Sequence, residues 1–302
     1  MMMSCQLLMM VRPVCFGYNE ETASNNHFQH HPREKGVQEY ALEEFDGMVR
    51  LLRENDIPVM VVEDTPEPRT PDSIFPNNWF STHADGTLVL YPMFAPNRRE
   101  ERRPEVIRAI RKAAGTVRTV DLTAWEEKGE FLEGTGSLVL DRKSLTAYAC
   151  RSPRTSESVL EDFCRQTGYR SVIFDAVDHD GCPIYHTNVM MSIGEDFAVI
   201  CSDAVVPPQE QSDVLERLRA SRKTVVEVSY DQMQHYACNV LQVRNIKGEF
   251  FVVMSDTARN SLDSRQLALL SENGSILAAH VPHIEEAGGG STRCMMAEVF
   301  CR

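Results

Sequence analysis

At 302 residues, with 42% hydrophobic and 25% charged side chains, the chain has the balance of a folded globular protein able to bury a core. Its net charge of −13, from 31 basic against 44 acidic residues, repels phosphate backbones and anionic bilayers and so argues against nucleic acid and membrane partners. The nine cysteines show neither a CxxC pair nor regular spacing, which suits free thiols in a reducing cytoplasm better than a disulfide framework or a zinc site.

Met1 to Val11 carries an apolar run with no basic region ahead of it and no small-residue cleavage site. Arg12 and Pro13 end it, so it reads as a buried first strand and not as a signal peptide. No later run has the length of a membrane span. Gly17 to Gln29 is polar and too long for a turn, which makes it a surface loop or a pocket wall. His27, His30 and His31 lie in or beside it without a carboxylate at ligand spacing, so no metal is expected there. From Val37 to Asn55, Ala41, Leu42, Phe45, Met48, Val49 and Leu52 recur at helical spacing, and a strand from Pro58 to Val62 follows.

Pro71 to His83 holds two consecutive asparagines, Asn77 and Asn78, between apolar neighbours; ordinary turn chemistry and a pocket duty both fit them. The Asp85-Gly86 turn then leads into a strand from Leu88 to Tyr91. Arg98 and Arg99 stand at the start of a charged helix, where the macrodipole favours acids, so an anion-binding duty is expected of them. Glu133 lies between a hydrophobic pair and Gly134 at the mouth of a strand, a setting in which a carboxylate pKa can be displaced. The Gly134-Thr135-Gly136 run is isolated and no lysine follows, so it is not a phosphate loop.

Beyond it come a strand from Leu145 to Cys150, a turn from Arg151 to Arg154, a helix from Ser156 to Thr167 and a polar loop from Asp175 to Gly181. A strand entered through Pro183-Ile184-Tyr185 would place His186 and Asn188 on one face by two-residue alternation. Further strands are expected at Phe197 to Cys201, Thr224 to Val228, Tyr236 to Val243 and Glu249 to Met254, with helices at Gln209 to Ala220 and Arg265 to Asn273. The order strand, strand, helix, strand recurs about five times without marked self-similarity. No stretch reads as an interdomain linker, so residues 1–302 are expected to form one domain.

The closing stretch reads as a flexible loop, Gly288-Gly289-Gly290, delivering Cys294 to the start of a buried strand with the cation of Arg293 beside its sulfur. Locally, Cys294 reads equally well as a small core residue after a turn.

Taken together and in order, PDSIFPNNWF, FLEGTGS, YHTN and GGGSTRC resemble the guanidine-modifying superfamily of arginine deiminase, dimethylarginine dimethylaminohydrolase and the amidinotransferases. Within it, the chain is most similar to the citrulline-utilisation hydrolases. The resemblance implies a pentein-like α/β propeller of five ββαβ units around a central channel that holds the active site. It implies Cys294 as nucleophile, His186 as general acid and base, and Glu133 as the carboxylate partnering substrate and histidine. Asn78 and Asn188 fall where relatives bind the guanidinium through aspartates. Asp72 falls among the substrate-binding residues, and Arg98 or Arg99, with Arg154, where relatives bind the substrate carboxylate. The family's Glu-Gly-Gly-Asp is Glu-Gly-Thr-Gly here.

The expected activity is therefore cofactor-free and metal-free hydrolysis of a small amino-acid ureido or guanidino group, with citrulline giving ornithine, carbon dioxide and ammonia. An arginine deiminase, an amidinotransferase and a non-enzymatic amino-acid-binding propeller are the alternatives, and a homo-oligomer is left open.

Overall fold

The computed structural model describes residues 7–301. Five sheets share one plan: an antiparallel pair, then a helical return that lays a third strand parallel to the second. Phe80–Thr82, Thr87–Leu90 and Arg118–Asp121 form the first. Val139–Asp141, Thr146–Cys150 and Arg170–Ala176 form the second, extended by Val205–Val206. Met191–Ile193, Phe197–Ile200 and Thr224–Glu227 form the third; Leu241–Arg244, Phe250–Ser255 and Ser275–Ala279 form the fourth. The fifth joins distant parts of the sequence. Ala297–Val299 runs antiparallel to Leu7–Arg12, with Leu7 opposite Val299, and Val59–Glu63 lies parallel on the other side. This is the five-unit α/β propeller expected from the sequence.

The middle strand of each unit is covered on both faces. Thr87–Leu90, Thr146–Cys150 and Phe197–Ile200 are buried throughout, and only the first residue of Phe250–Ser255 and the two ends of Leu7–Arg12 are partly open. Such strands need continuous apolar runs, whereas the outer third strands are half open and mixed in composition. Helices seal the outside. Val37–Glu54 buries Ala41, Phe45, Met48, Val49 and Leu52 along one stripe, and Pro104–Ala114 starts on proline and stops at Gly115 with φ +60°.

Just before its first strand, each unit makes a short turn toward the middle. These segments are Pro76–Asn78, Gly134–Ser137, Thr187–Met190, the stretch around Asn239, and Thr292–Met295. They close a ring. Gly134–Ser137 packs against both Pro76–Asn78 and Thr187–Met190, and Thr292–Met295 against Pro76–Asn78. Asn239 ties the remaining two junctions: its Nδ2 donates to the Asn188 carbonyl at 3.3 Å, and its Oδ1 accepts the Arg293 N–H at 3.0 Å.

Four local expectations change. Arg98 and Arg99 do not open the charged helix Pro104–Ala114; they end a separate one-turn helix, Pro96–Arg99. His186 and Asn188 sit on a one-turn helix, His186 as its cap, instead of alternating along a strand. Cys294 lies in a helical turn, not in an open loop. The chain from Tyr236 to Val240 is irregular before Leu241–Arg244 begins, so the strand expected from Tyr236 starts five residues later.

Candidate active site

All five turns supply a polar or nucleophilic side chain to one place: Asn78, Glu133, His186 with Asn188, Asn239 and Cys294. Glycine makes the approach of Cys294 feasible. The helix Pro282–Gly288 ends at Gly289 with φ +63°, where a Cβ would lie 2.7 Å from Asn26 Nδ2 and Gln29 N. At Gly288 a Cβ would stand 2.7 Å from the Phe75 ring, so this glycine is needed for space alone. Cys294 ends 6% exposed. Its sulfur lies 3.3 Å from Asn188 Nδ2 and 3.3 Å from Asn239 Nδ2.

The Asn239 amide has a fixed orientation, because a backbone N–H can only donate to its Oδ1. Its NH₂ therefore faces the sulfur. Arg293, expected beside the sulfur, instead sends its guanidinium to the Met296 carbonyl at 3.0 Å and to Glu298 at 3.5 Å.

His186 Nε2 lies 2.7 Å from Glu133 Oε2, and both side chains are buried. Burial pushes the His186 imidazole down to about 4, over the opposing pull of Glu133. Burial alone would raise the Glu133 carboxyl, but Arg154 at 3.4 Å and His186 outweigh it and hold it below the usual range. A neutral histidine donating Nε2–H to a carboxylate leaves Nδ1 as a base. That atom faces Gly136 together with the amide of Asn78. A Cβ at Gly136 would land on Asn78 Nδ2 and stand 2.8 Å from His186 Nδ1, so no acid side chain fits at 136 in this arrangement.

Asn78 is also fixed. Arg98 Nη1 donates to its Oδ1 at 2.7 Å, and arginine has no acceptor, so the NH₂ of Asn78 must point the other way. That Nδ2 is buried and has no partner. Arg98 itself is clamped by Glu101, Nε to Oε1 at 2.8 Å and Nη2 to Oε2 at 3.0 Å, and by the Phe75 carbonyl at 3.0 Å. Its guanidinium is thus committed within the protein, contrary to the expectation that it reads a substrate carboxylate.

Arg154 is likewise occupied by Asn25 Oδ1 at 2.8 Å and the Thr22 carbonyl at 2.9 Å, which fastens the 19–29 loop over the site. Arg99 bonds the carbonyls of Met93 and Phe94 and keeps 30% of its side chain exposed. Asp72 accepts from Asn19 Nδ2 at 2.8 Å through Oδ2 and leaves Oδ1 buried and unpartnered. Among the described residues, no group of three or more His, Cys, Asp or Glu side chains is placed to hold a metal, and no helix is long and apolar enough to cross a membrane.

Sequence reasoning missed Asn239. The signal was the repeat itself: with four units each placing a functional residue ahead of the first strand, the fourth unit should supply one too. It missed the clamp on Arg98 as well, although Glu101 stands three residues on.

The model of the family described as N,N dimethylarginine dimethylhydrolase, eukaryotic, matches residues 12–301. No curated protein matches the sequence. Among solved structures, ArgZ, an arginine dihydrolase from the ornithine-ammonia cycle in Cyanobacteria, shares 17% identity with a TM-score of 0.75 over 98% of this chain and 41% of its own. The chain thus spans about two fifths of that protein, whose N-terminal domain bound to substrate is 98% covered with a TM-score of 0.71. A dimethylarginine dimethylaminohydrolase bound to S-methyl-L-thiocitrulline shares 13% identity over 97% of this chain and 99% of its own, with a TM-score of 0.66.

Proposed function

We propose, from the premise that the chain belongs to the eukaryotic N,N dimethylarginine dimethylhydrolase family, that it is a Cys294-dependent hydrolase of a neutral ureido group, with citrulline as substrate. The observation that carries this reading is the orientation of Asn78, whose buried NH₂ is left without a partner while Arg98 holds its oxygen. A guanidinium offers only donors, and an amide N–H facing it is a mismatch; a ureido carbonyl is the acceptor that this N–H lacks. The unpartnered Oδ1 of Asn188 supplies the complementary acceptor for a ureido NH₂.

In the reaction so read, His186 Nδ1 takes the thiol proton and Cys294 Sγ bonds to the ureido carbon. The carbonyl oxygen gains charge opposite the Asn78 donor. The terminal C–N bond then breaks, His186 returns the proton, and ammonia leaves a carbamoyl thioester. Water, deprotonated by the same histidine, attacks that carbon. Sulfur departs, and the resulting carbamate yields ornithine and carbon dioxide.

Of the three candidate arginines we assign the α-carboxylate to Arg99, whose side chain is 30% exposed against 3% for Arg98 and 2% for Arg154, while it also bonds the Met93 and Phe94 carbonyls and lies 3.6 Å from Glu126. Asp72 Oδ1 is an unused buried acceptor for the α-ammonium. Arginine itself is the second reading, suggested by the structural likeness to an arginine dihydrolase; two successive hydrolyses would bring a ureido group into the same site. Purified protein incubated with citrulline should form ornithine and ammonia in equal amounts, and Cys294→Ala should form none. Ornithine production by Cys294→Ala above a few per cent of wild type would overturn the covalent route.

A further inference from the structure

A second internal space adjoins the site, with a volume of about 100 Å³. Asn188, Thr135, Ser192, Asp141 and Lys223 line it, and the exposed Lys143 and Glu195 stand at its outer edge. None of its lining residues comes from the 19–29 loop or the 288–290 turn that cover the thiol. Asn188 belongs to both places, because its Nδ2 lies 3.3 Å from the Cys294 sulfur.

Apart from Asn188 Oδ1, already assigned to the substrate, two lining residues keep a buried polar atom without a partner: Ser192 Oγ and Asp141 Oδ2. Unsatisfied atoms on a polar wall call for small hydrogen-bonding guests. Size narrows the choice. Amino-acid and drug-sized ligands occupy pockets of roughly 300 Å³ or more, whereas a water takes up about 30 Å³ of liquid, so this space admits water and ammonia and excludes citrulline. The lining sets Arg142, Lys143, Lys223 and Arg293 against Asp141, Glu195 and Glu298, and with Lys223 Nζ 3.3 Å from Asp141 Oδ1 and Arg293 3.5 Å from Glu298 a cationic guest would meet carboxylates that already face cations. Neutral ammonia and water remain.

We infer that this cavity is a rear passage through which neutral ammonia leaves, and hydrolytic water enters, while the amino-acid part of the substrate stays enclosed under the 19–29 loop. The inference rests on the proposed function for its cargo but not for its geometry. Asn188 stands at its inner mouth, and Ser192 and Asp141 offer successive hydrogen-bond stations toward the edge.

Ser192→Met and, independently, Ile193→Phe narrow the passage without touching the thiol, His186 or Asn78. Oxidation of Cys294 by hydrogen peroxide, in protein saturated with ornithine, should slow about tenfold in both variants. Alkylation of Cys294 by iodoacetamide in the unliganded protein, a reagent whose bulk suits the substrate's own entrance and not the passage, should stay within twofold of wild type. In turnover of citrulline, kcat and KM of the variants should fall together, with thioester accumulating in intact mass spectra. Unchanged peroxide rates in either folded variant would overturn the passage, as would an equal slowing of both reagents. Absence of ornithine formation by wild type would count against the citrulline reading alone, because the peroxide comparison requires ornithine to bind and not citrulline to turn over.

Discussion

Replacing Asn78 by aspartate alters one atom at the point where the site distinguishes a carbonyl from an N–H. The two side chains are nearly isosteric, and Arg98 Nη1, 2.7 Å from Oδ1, would bond the carboxylate as readily as the amide. The second oxygen then replaces the unpartnered Nδ2. For citrulline, a donor to the developing oxyanion is lost. Removing one such donor raises a barrier by about 3–4 kcal/mol, or roughly 10²–10³ in kcat. Arginine meets the opposite change, since a buried carboxylate now faces its cation. We expect kcat/KM for citrulline to fall by at least about 10²-fold and that for arginine to rise, with the melting temperature near wild type. Both constants are read from ornithine and citrulline formed at several substrate concentrations. Retention of citrulline turnover within about threefold of wild type would refute the assignment of Asn78 as the carbonyl donor.

Gly136→Ala should cost at least about 10²-fold in kcat with the fold retained, because its Cβ would press on Asn78 Nδ2 and stand 2.7 Å from His186 Cε1; ordinary kcat in a folded Gly136→Ala protein would show that these groups need not hold their places. Asn239→Asp should replace the NH₂ facing the sulfur by a carboxylate oxygen and slow alkylation of Cys294 about tenfold; an alkylation rate equal to wild type would remove Asn239 from the site. His186, lowered to about 4 from 6.5, binds a proton in the unfolded but not the folded chain between those values. Its contribution is full above 6.5 and is lost as pH falls to 4, so stability at pH 7 should exceed that at pH 4 by about 3 kcal/mol on this account, and the acid-side slope should be shallower in His186→Gln. Urea midpoints at each pH measure it, and identical slopes in the two proteins would contradict the buried neutral imidazole.

How much was legible follows from burial. Middle strands such as Phe197–Ile200 are covered on both faces and announce themselves as apolar runs. Arg118–Asp121, Arg170–Ala176 and Ser275–Ala279 are half exposed, and their apolar runs are no longer than four residues, too short to stand out from the neighbouring helices. In the site, Cys294, His186, Glu133 and both asparagines stood out through motif and order, and the structure brings them together. Arg98 did not reveal its role, since a sequence shows the charge but not that Glu101 and Phe75 would absorb it. Arg293 shows the converse: adjacency along the chain does not place its cation on the sulfur, because the one-turn helix directs it to Glu298. Asn239 carries no motif, and its part depends on closing a ring whose members are far apart in sequence.

The central claim, that the fixed amide of Asn78 selects a neutral ureido group, is tested most directly by competition in one vessel. Equal concentrations of citrulline and arginine, each bearing a different carbon isotope in its side chain, are incubated with the wild-type protein, and the ornithine formed is resolved by mass. The orientation of Asn78 predicts ornithine carrying the citrulline label in excess of at least about 10²-fold at early times. Ornithine or citrulline carrying mainly the arginine label would contradict it.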